Sequence, residues 1–402
     1  MEKMSMHPAA ALPFRARWAA ILAMAVACLA AAVSAAPAMG AFGIAGFDGS
    51  LTEEDGSPTT QAAAHPYEIS TTFDFNTISS GVYGTMPDES VKDAIVDLPA
   101  GFAGNPTVVS QCSEYDLAGQ GVDTFCQNSS QIGVIALDVN TFGFVQTVYL
   151  PLYNMIVPPG TPSSFGFNVF GVPVHMYSRV RSDSDYGISI DVPNINQTLA
   201  IVGSKTTIWG VPADPSHDIQ RCQFLNTATA ICDNRTETAR SAPNPAGVPP
   251  RAFLTNVGNC AAGPQVTNGR ADSWTYPGIF DHASFVAHDS GVPPQPVPTD
   301  GCEVVPFGPT IGAQPTTNNA ESPTGLSFEL KMPTTGLENP TGIAQSTIKR
   351  ATVTLPEGMT VNPSIGEGLG VCTPADYARE TATSPQGEGF PNNSKVGTVK
   401  IA

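Results

Sequence analysis

Charged side chains are scarce in this sequence. Asp, Glu, Lys and Arg make up 13% of the 402 residues, about half the usual share, so salt bridges can contribute little to stability. Basic residues are the rarer class, with 18 against 35 acidic residues, and the formal net charge is −17 at pH 7. This charge disfavours nucleic acid and anionic membrane surfaces as partners, although mild acidity is also ordinary for a soluble exported protein.

The sequence also lacks the motifs of several common catalytic and metal sites. It contains no Gly-x-Ser-x-Gly elbow, no His-Glu-x-x-His and no phosphate-binding Gly-rich loop, so these hydrolase and nucleotide-binding classes have no support. It has no Cys-x-x-Cys and no paired Cys/His spacing of a zinc site. Paired carboxylates for glycoside hydrolysis carry no local motif, so the lack of the motifs above does not exclude them.

The N-terminus has the features of an export signal. Three basic residues within the first 17 positions precede an uncharged apolar run over residues 18–33, and small residues at 36–38 offer a cleavage site. The alternative is an uncleaved anchor, because no charge follows until Asp48. Cleavage after residue 38 would remove three basic residues and Glu2, which changes the net charge from −17 to −19. We therefore expect a secreted, extracellular or cell-envelope protein that meets the membrane only through its export signal.

One pattern of residues occurs twice in the same order. Each copy holds Leu-Pro-x-Gly, then Asn-Pro, then Cys, then Asn-x-Ser-x-aliphatic-Gly, over residues 91–135 and 348–399, which indicates an internal repeat. Apolar and polar residues alternate before each Leu-Pro, which predicts strands at 91–98 and 348–355. Ser113 and Thr373 each stand three residues before an acid, which predicts a short capped helical turn.

Seven cysteines would remain after export. Pairing them in sequence order gives the disulfides Cys112–Cys126, Cys222–Cys232 and Cys260–Cys302. Sequence does not fix connectivity, but short local loops favour these pairs, and export makes oxidation plausible. The three bridges would contribute roughly 3, 3 and 4 kcal/mol in the chain-entropy model. Cys372 is left over, and the second copy of the repeat stops early, so we expect a fragment or the front of a longer repeat protein.

Many short strands, Pro/Gly-rich turns and the lack of helical crossovers predict an all-β chain. We expect antiparallel β-sandwich (Ig-like) repeat units with long loops. The expected divisions are an export signal (1–38), a flexible lead-in (39–64), a first β unit (65–306), a linker (307–323) and the start of a second, incomplete unit (324–402). The first unit could be two sub-domains with a boundary near 158–164. Further strands are predicted at residues 69–75, 131–139, 144–152, 165–170, 174–180, 186–192, 205–211, 283–288, 325–330 and 395–401, while loops dominate 213–269.

Four residues are candidates for binding a metal ion. Asp183 and Asp185 resemble the start of a calcium loop, but no bidentate Glu follows at EF-hand spacing, so a polar turn is the simpler interpretation. His282 and His288 share a face of a predicted strand and could bind a cation together, or be isolated surface histidines. The sequence predicts no cofactor, with calcium as the one alternative.

Residues 214–218 read Asp-Pro-Ser-His-Asp and place His217 between two acids. This arrangement could be a metal or acid/base site, and a capped turn is the simpler interpretation. Seven aromatic residues at strand spacing could line a sugar-binding face, although such residues are more often core. They are Tyr67, Phe73, Phe75, Tyr149, Tyr153, Trp209 and Trp274.

A set of short motifs lies along the mature chain, namely His65-Pro66 and those at residues 96–101, 165–168, 171–174, 209–218, 221–222, 322–325 and 355–363. Through these motifs the whole mature chain resembles large secreted actinobacterial β-repeat proteins of no assigned activity. The Leu-Pro-x-Gly strand end is also similar to that of bacterial Ig-like surface repeats. The resemblance implies further units downstream and supplies no catalytic residue.

Two functions from different classes follow from the sequence. The first is a non-enzymatic secreted or cell-envelope protein, a structural or adhesion-type scaffold of β units whose partners are envelope components or glycans. The second is a secreted carbohydrate-binding or carbohydrate-active protein, which would need an open groove lined by exposed aromatics with two carboxylates facing it. A third hypothesis, repeats stiffened by calcium, would require the metal site considered above.

Overall fold

A computed structural model describes residues 42–119, 125–158, 160–182, 185–221, 225, 231–232, 248–360, 368–380, 384–385 and 387–401. The expected export signal, Asp183 and Cys222 lie outside these residues. Within the described ranges, no helix is both long and apolar enough to cross a membrane.

Strands dominate the described part of the chain. They are β1 (Ile44–Thr52), β2 (Glu68–Phe75), β3 (Thr77–Ser80), β4 (Gly84–Pro87), β5 (Val91–Asp97), β6 (Ala103–Gly104), β7 (Gln131–Thr141), β8 (Phe144–Asn154), β9 (Ser164–Val169), β10 (Val172–Val180), β11 (Ile188–Val192), β12 (Ile201–Trp209), β13 (Leu254–Thr255), β14 (Val266–Ser273), β15 (Asp281–Val286), β16 (Thr310–Pro315) and β17 (Leu326–Lys331). Two one-turn helices are α1 (Glu114–Leu117) and α2 (Pro374–Tyr377). Short 3-10 turns lie at Pro106–Val108, Asn128–Ser130, Pro215–Gln220, Cys260–Ala262, Cys302–Val304 and Asn392–Ser394.

Eleven of these strands form one antiparallel sheet. Its order is β1-β2-β12-β7-β8-β9-β10-β11-β5-β14-β15. The link between β8 and β9 is short, because only Tyr153 and Asn154 pair across it, with Gly166 and Phe165. The two edge strands, β1 and β15, come into contact, so the sheet is nearly closed into a barrel. The predicted all-β, antiparallel architecture is confirmed.

Aromatic rings packed on glycines close the seam between the two edges. A Cβ on Gly269 would lie 2.7 Å from ring atoms of Phe47, and a Cβ on Gly49 would lie 2.7 Å from the ring of Phe285. The two rings also meet each other, with centroids 5.2 Å apart. Polar contacts add to the seam, because the backbone N–H of Ile44 donates to Asp281 Oδ2 at 2.8 Å. The absence of side chains on these glycines therefore allows the edges to approach.

The hydrophobic core lies between the two halves of this sheet. Alternation along each strand sends one set of side chains inward, so that Phe73 and Phe75 of β2 are buried while Asp74 between them is exposed. Their cross-strand neighbours on β12 and β7 face the same way, for example Leu137 beside Ser204 beside Phe73. Each large apolar side chain buried here contributes roughly 1.5–3 kcal/mol of transfer free energy.

Several expected boundaries differ from the structure. The flexible lead-in (39–64) instead supplies β1, which pairs along its length with β2. The possible boundary near 158–164 falls between β8 and β9, which are neighbours in one sheet, and β5 pairs with β11 across it. The linker (307–323) contains β16, which pairs with β17 of the expected second unit. The described residues from Phe42 onward cluster as one unit by their contacts.

The second copy of the repeated pattern forms only part of the expected structure. Ser113 caps α1 and Thr373 caps α2 through the backbone N–H three residues on, at 3.2 Å in both, so both predicted helical turns are confirmed. The strands predicted at 348–355 and 395–401 are wrong, because the described residues there have no strand partner and are largely exposed. In the first copy, the equivalent strand β5 is held between β11 and β14.

Two of the expected disulfides are present. Cys112–Cys126 links residues 14 apart, and Cys260–Cys302 links residues 42 apart. The third expected pair includes Cys222, which lies outside the described residues. Cys372 is free and exposed. The two observed bridges fasten loops at the same end of the sheet, where the chain leaves β5 and β12.

Candidate functional site

The interior of the nearly closed sheet holds a cavity of about 190 Å³. Inward side chains of β2, β5, β7, β9, β10, β11 and β12 form its wall. Phe73, Leu137, Phe167, Met176 and Ile190 are representative, and all five are buried. Because each strand alternates, the inward rows of these seven strands are almost wholly apolar.

Loops close both ends of the cavity. Phe102, Phe253 and Leu254 cover the end where β5 finishes, and Ile195 and Leu199, from the connection between β11 and β12, cover the opposite end. All five are buried. The exposed lining residues lie at the first of these ends, so the cavity is nearest to solvent there; they are Gly104, Pro162, Arg179 and Val180.

Few polar groups reach the cavity. Thr71 and Thr206 are cross-strand partners that both contribute to the lining. Ser163 and Ser178 also contribute, but their hydroxyls hydrogen bond to each other at 2.7 Å. Among the described residues of the lining, Arg179 is the only one with an ionisable side chain, and its Nε lies 2.5 Å from Asp191 Oδ2. The interior therefore suits a neutral molecule with at most one or two hydrogen-bonding groups.

The volume of this cavity has energetic consequences. Residual cavity volume in a core destabilises by roughly 24 cal/mol per Å³, so 190 Å³ corresponds to about 4–5 kcal/mol if nothing fills it. Apolar cavities of about 150 Å³ in proteins stay dry and bind benzene. A ligand of comparable size would restore the lost contacts with the cavity wall.

His217, a candidate from the sequence, lies in a different place. The 3-10 turn Pro215–Gln220 begins at Asp214, whose Oδ1 accepts the backbone N–H of Ser216 at 2.9 Å, so the capped-turn interpretation is confirmed. The imidazole is 2% exposed and stacks between Trp209 and Tyr67, with ring centroids 4.5 Å away on each side. The three stacked rings form a buried layer on the outer face of the sheet.

A buried cation shares this layer. The guanidinium of Arg221 lies 5.8 Å from the ring centroid of Trp209 and 3.0 Å from Asp218 Oδ1. Burial first, and the positive charge of Arg221 second, lower the pKa of His217 to about 3. The imidazole is therefore neutral at physiological pH and too enclosed to exchange protons with a substrate, which removes the main support for an acid/base role.

The two aspartates considered for calcium are Asp183 and Asp185. Asp183 lies outside the described residues, while Asp185 accepts hydrogen bonds from Arg181 Nε at 2.8 Å and from the backbone N–H of Gly187 at 2.9 Å. The Arg181 hydrogen bond is the main cause that lowers the pKa of Asp185 to about 2. The calcium interpretation stays a prediction.

His282 and His288 have different surroundings. Both ring nitrogens of His288 have protein partners, with Nε2 at 2.8 Å from Asp48 Oδ1 and Nδ1 at 2.6 Å from the carbonyl of Asp289. His282 is exposed on β15. No group of three or more potential ligands comes together within the ranges that the structure describes. A cation shared by the two histidines stays a prediction.

The aromatic residues considered for sugar binding face the protein interior. Phe73, Phe75, Tyr153 and Trp209 are buried, and the remaining three, Tyr67, Tyr149 and Trp274, are half-buried. A sugar-binding face requires exposed rings, so the observation on which that hypothesis depended is absent from these seven positions.

Sequence reasoning missed the cavity, because its volume depends on which strands face each other. The one local signal in the described strands is the small inward residue Ala94, which lines the cavity among larger side chains. Comparison with known proteins adds no precedent: no family model, curated protein or solved structure matches this chain.

Proposed function

We propose that this chain is a non-enzymatic secreted or cell-envelope protein that binds a small, neutral, apolar molecule inside its sheet. The observation that carries the proposal is the cavity of about 190 Å³, walled by inward apolar side chains of seven strands. Cavities of this character are the usual form of small-molecule sites.

The lining restricts the chemistry of the ligand. A charged group would lose its hydration inside without gaining an ionic partner, because Arg179 already pairs with Asp191. The hydroxyls of Thr71 and Thr206 could hydrogen bond to one hydroxyl or carbonyl group. The volume suits a single substituted ring or a short branched chain.

Toluene is a suitable probe of this site. We expect saturating toluene to raise the thermal midpoint of the wild-type protein, because it binds only the folded state. Ala94→Ile adds bulk to a residue that lines the cavity and should abolish the shift. The matched control, Ala136→Ile, makes the same change on β7 at a position opposite Lys205, facing away from the cavity, and should keep it.

Two results would overturn the proposal. One is the absence of any toluene shift in the wild-type protein. The other is a shift of equal size in all three proteins, which would mean that toluene binds elsewhere.

A structural or adhesion-type role is the second candidate. It is supported by the two disulfides and by the recurrence of the same capped turn at Ser113 and Thr373. Ig-like β-sandwich repeats as the underlying unit stay a prediction. N-terminal sequencing of the protein recovered from the medium or envelope tests the export on which both candidates depend. A mature terminus following residue 38 supports export, and an intact Met1 in the cytoplasm contradicts it. Within the part of the chain that the structure describes, no observation favours the carbohydrate-active alternative.

A further inference from the structure

Two hairpins meet at one end of the sheet and expose apolar side chains together. The hairpin of β3 and β4 and the hairpin of β7 and β8 form this double tip, defined as residues 78–86 and 140–147. Its exposed apolar side chains are Ile78, Val82, Tyr83, Phe142, Phe144 and Val145. Val82 is 79% exposed and Phe142 is fully exposed.

Hydrogen bonds join the two hairpins into a single surface. The side-chain amide of Asn140 donates to the carbonyls of Tyr83 and Thr85, at 2.8 and 2.6 Å. The backbones are also in close contact, since a Cβ on Gly84 would lie 2.1 Å from the carbonyl oxygen of Gly143. The apolar side chains are therefore held in one arrangement rather than on two independent loops.

Some polar backbone groups of the double tip already have partners. The N–H of Gly143 donates to Asn140 Oδ1 at 3.2 Å, and the N–H of Tyr83 donates to Ser80 Oγ at 3.2 Å. The ladders of the two hairpins pair further groups. Internal pairing lowers the free energy needed to remove the tip from water, which is a requirement for contact with an apolar layer.

The turn residue Phe142 is poorly suited to its backbone conformation. Its φ is 55°, in the left-handed region where hairpin turns favour Asn or Gly. A fully exposed ring gains little from its own chain, so folding does not account for Phe at this position. Phe170 occupies the same kind of turn, with φ 52°, a following Gly171 and 65% exposure, which makes it a matched comparison.

The double tip is uncharged within a strongly acidic chain. Residues 75–87 and 139–174 contain no Asp, Glu, Lys or Arg, while the chain carries a net charge of −17. The lack of basic residues gives the tip no attraction to anionic headgroups, and the overall charge adds repulsion. A neutral apolar layer is the partner that this charge distribution matches.

We propose that the double tip inserts Phe142, Phe144 and Val82 into the surface of a neutral lipid layer. Phe side chains bury themselves at the acyl boundary of such an interface, and the ring of Tyr does so while its hydroxyl stays at headgroup level. The partner is identified by this chemistry alone: an uncharged or zwitterionic lipid surface.

Sedimentation of the full chain with phosphatidylcholine vesicles tests the proposal. The wild-type protein should bind these vesicles, and binding should weaken when phosphatidylglycerol replaces half of the lipid. Phe142→Asn should lower the partition coefficient about tenfold. The same variant should not lower the thermal midpoint, because Asn is favoured in this turn, so lost binding will not reflect misfolding.

Phe170→Asn is the matched control. It makes the same substitution in the same turn type, outside the double tip, and should leave vesicle binding within about twofold of wild type. The proposal is overturned if the wild-type protein does not bind phosphatidylcholine vesicles, or if both variants lose binding equally. It is also overturned if sedimentation equilibrium shows self-association that Phe142→Asn abolishes and vesicles do not compete with, because the tip would then bind a second copy.

Discussion

The buried imidazole of His217 should make the stability of this protein depend on pH in a defined window. Burial among Trp209, Tyr67 and Arg221 holds its pKa at about 3, against 6.5 for an exposed histidine. Because the unfolded chain binds this proton at a higher pH than the folded chain, the free energy of unfolding falls as the pH drops from 6.5 towards 3. The loss from this residue should reach about 2 kcal/mol at pH 5 and about 3 kcal/mol at pH 4.

Equilibrium urea denaturation of wild type and His217→Phe over this pH range measures the effect. Phe retains a ring between Trp209 and Tyr67 but cannot titrate. Carboxylates that also titrate, such as Asp185 with its pKa of about 2, are common to both proteins, so the difference between them isolates His217. Stability differences that stay constant between pH 7 and pH 4 would refute the assignment of a neutral, desolvated imidazole.

Two further substitutions test the bridges and the seam of the sheet. Cys302→Ala opens a bridge between residues 42 apart and should reduce the free energy of unfolding by about 4 kcal/mol. Cys372→Ala, its control at a free and exposed cysteine, should change the free energy of unfolding by less than about 0.5 kcal/mol. Urea denaturation without reductant measures both changes. Gly269→Leu places a side chain against Phe47 at the seam and should destabilise by about 1–3 kcal/mol. Gly312→Leu, on exposed β16, is the control; equal midpoints for the two glycine variants would contradict the packing at the seam.

Features that depend on nearby residues could be predicted from the sequence. The hairpin of β7 and β8 was expected at 131–139 and 144–152, and it occurs at Gln131–Thr141 and Phe144–Asn154, because alternation and the Phe142-Gly143 turn are local signals. The bridges Cys112–Cys126 and Cys260–Cys302 also connect residues close in sequence. In both cases the partners lie within a few tens of residues.

Features that depend on partners distant in the sequence could not be predicted from it. Glycines in β1 and β14 lower their apparent β-propensity, and both strands fell in stretches expected to be a lead-in or loops. The need for glycine at positions 49 and 269 is explained only by the rings of Phe285 and Phe47, which come from strands more than 200 residues away. The cavity and the burial of His217 have the same origin, since each depends on surfaces that the closed sheet brings together.

Methionine methyl NMR tests the ligand-binding cavity most directly. The side chain of Met176 lines the cavity, while Met155 is buried in a separate cluster beside the Cys112–Cys126 bridge and does not line it. In protein labelled with ¹³C at methionine methyl groups, toluene should shift the Met176 signal in a saturable way through its ring current and leave Met155 unchanged. An unmoved Met176 signal, or parallel and unsaturable shifts of both methyl groups, would contradict a ligand site inside the sheet.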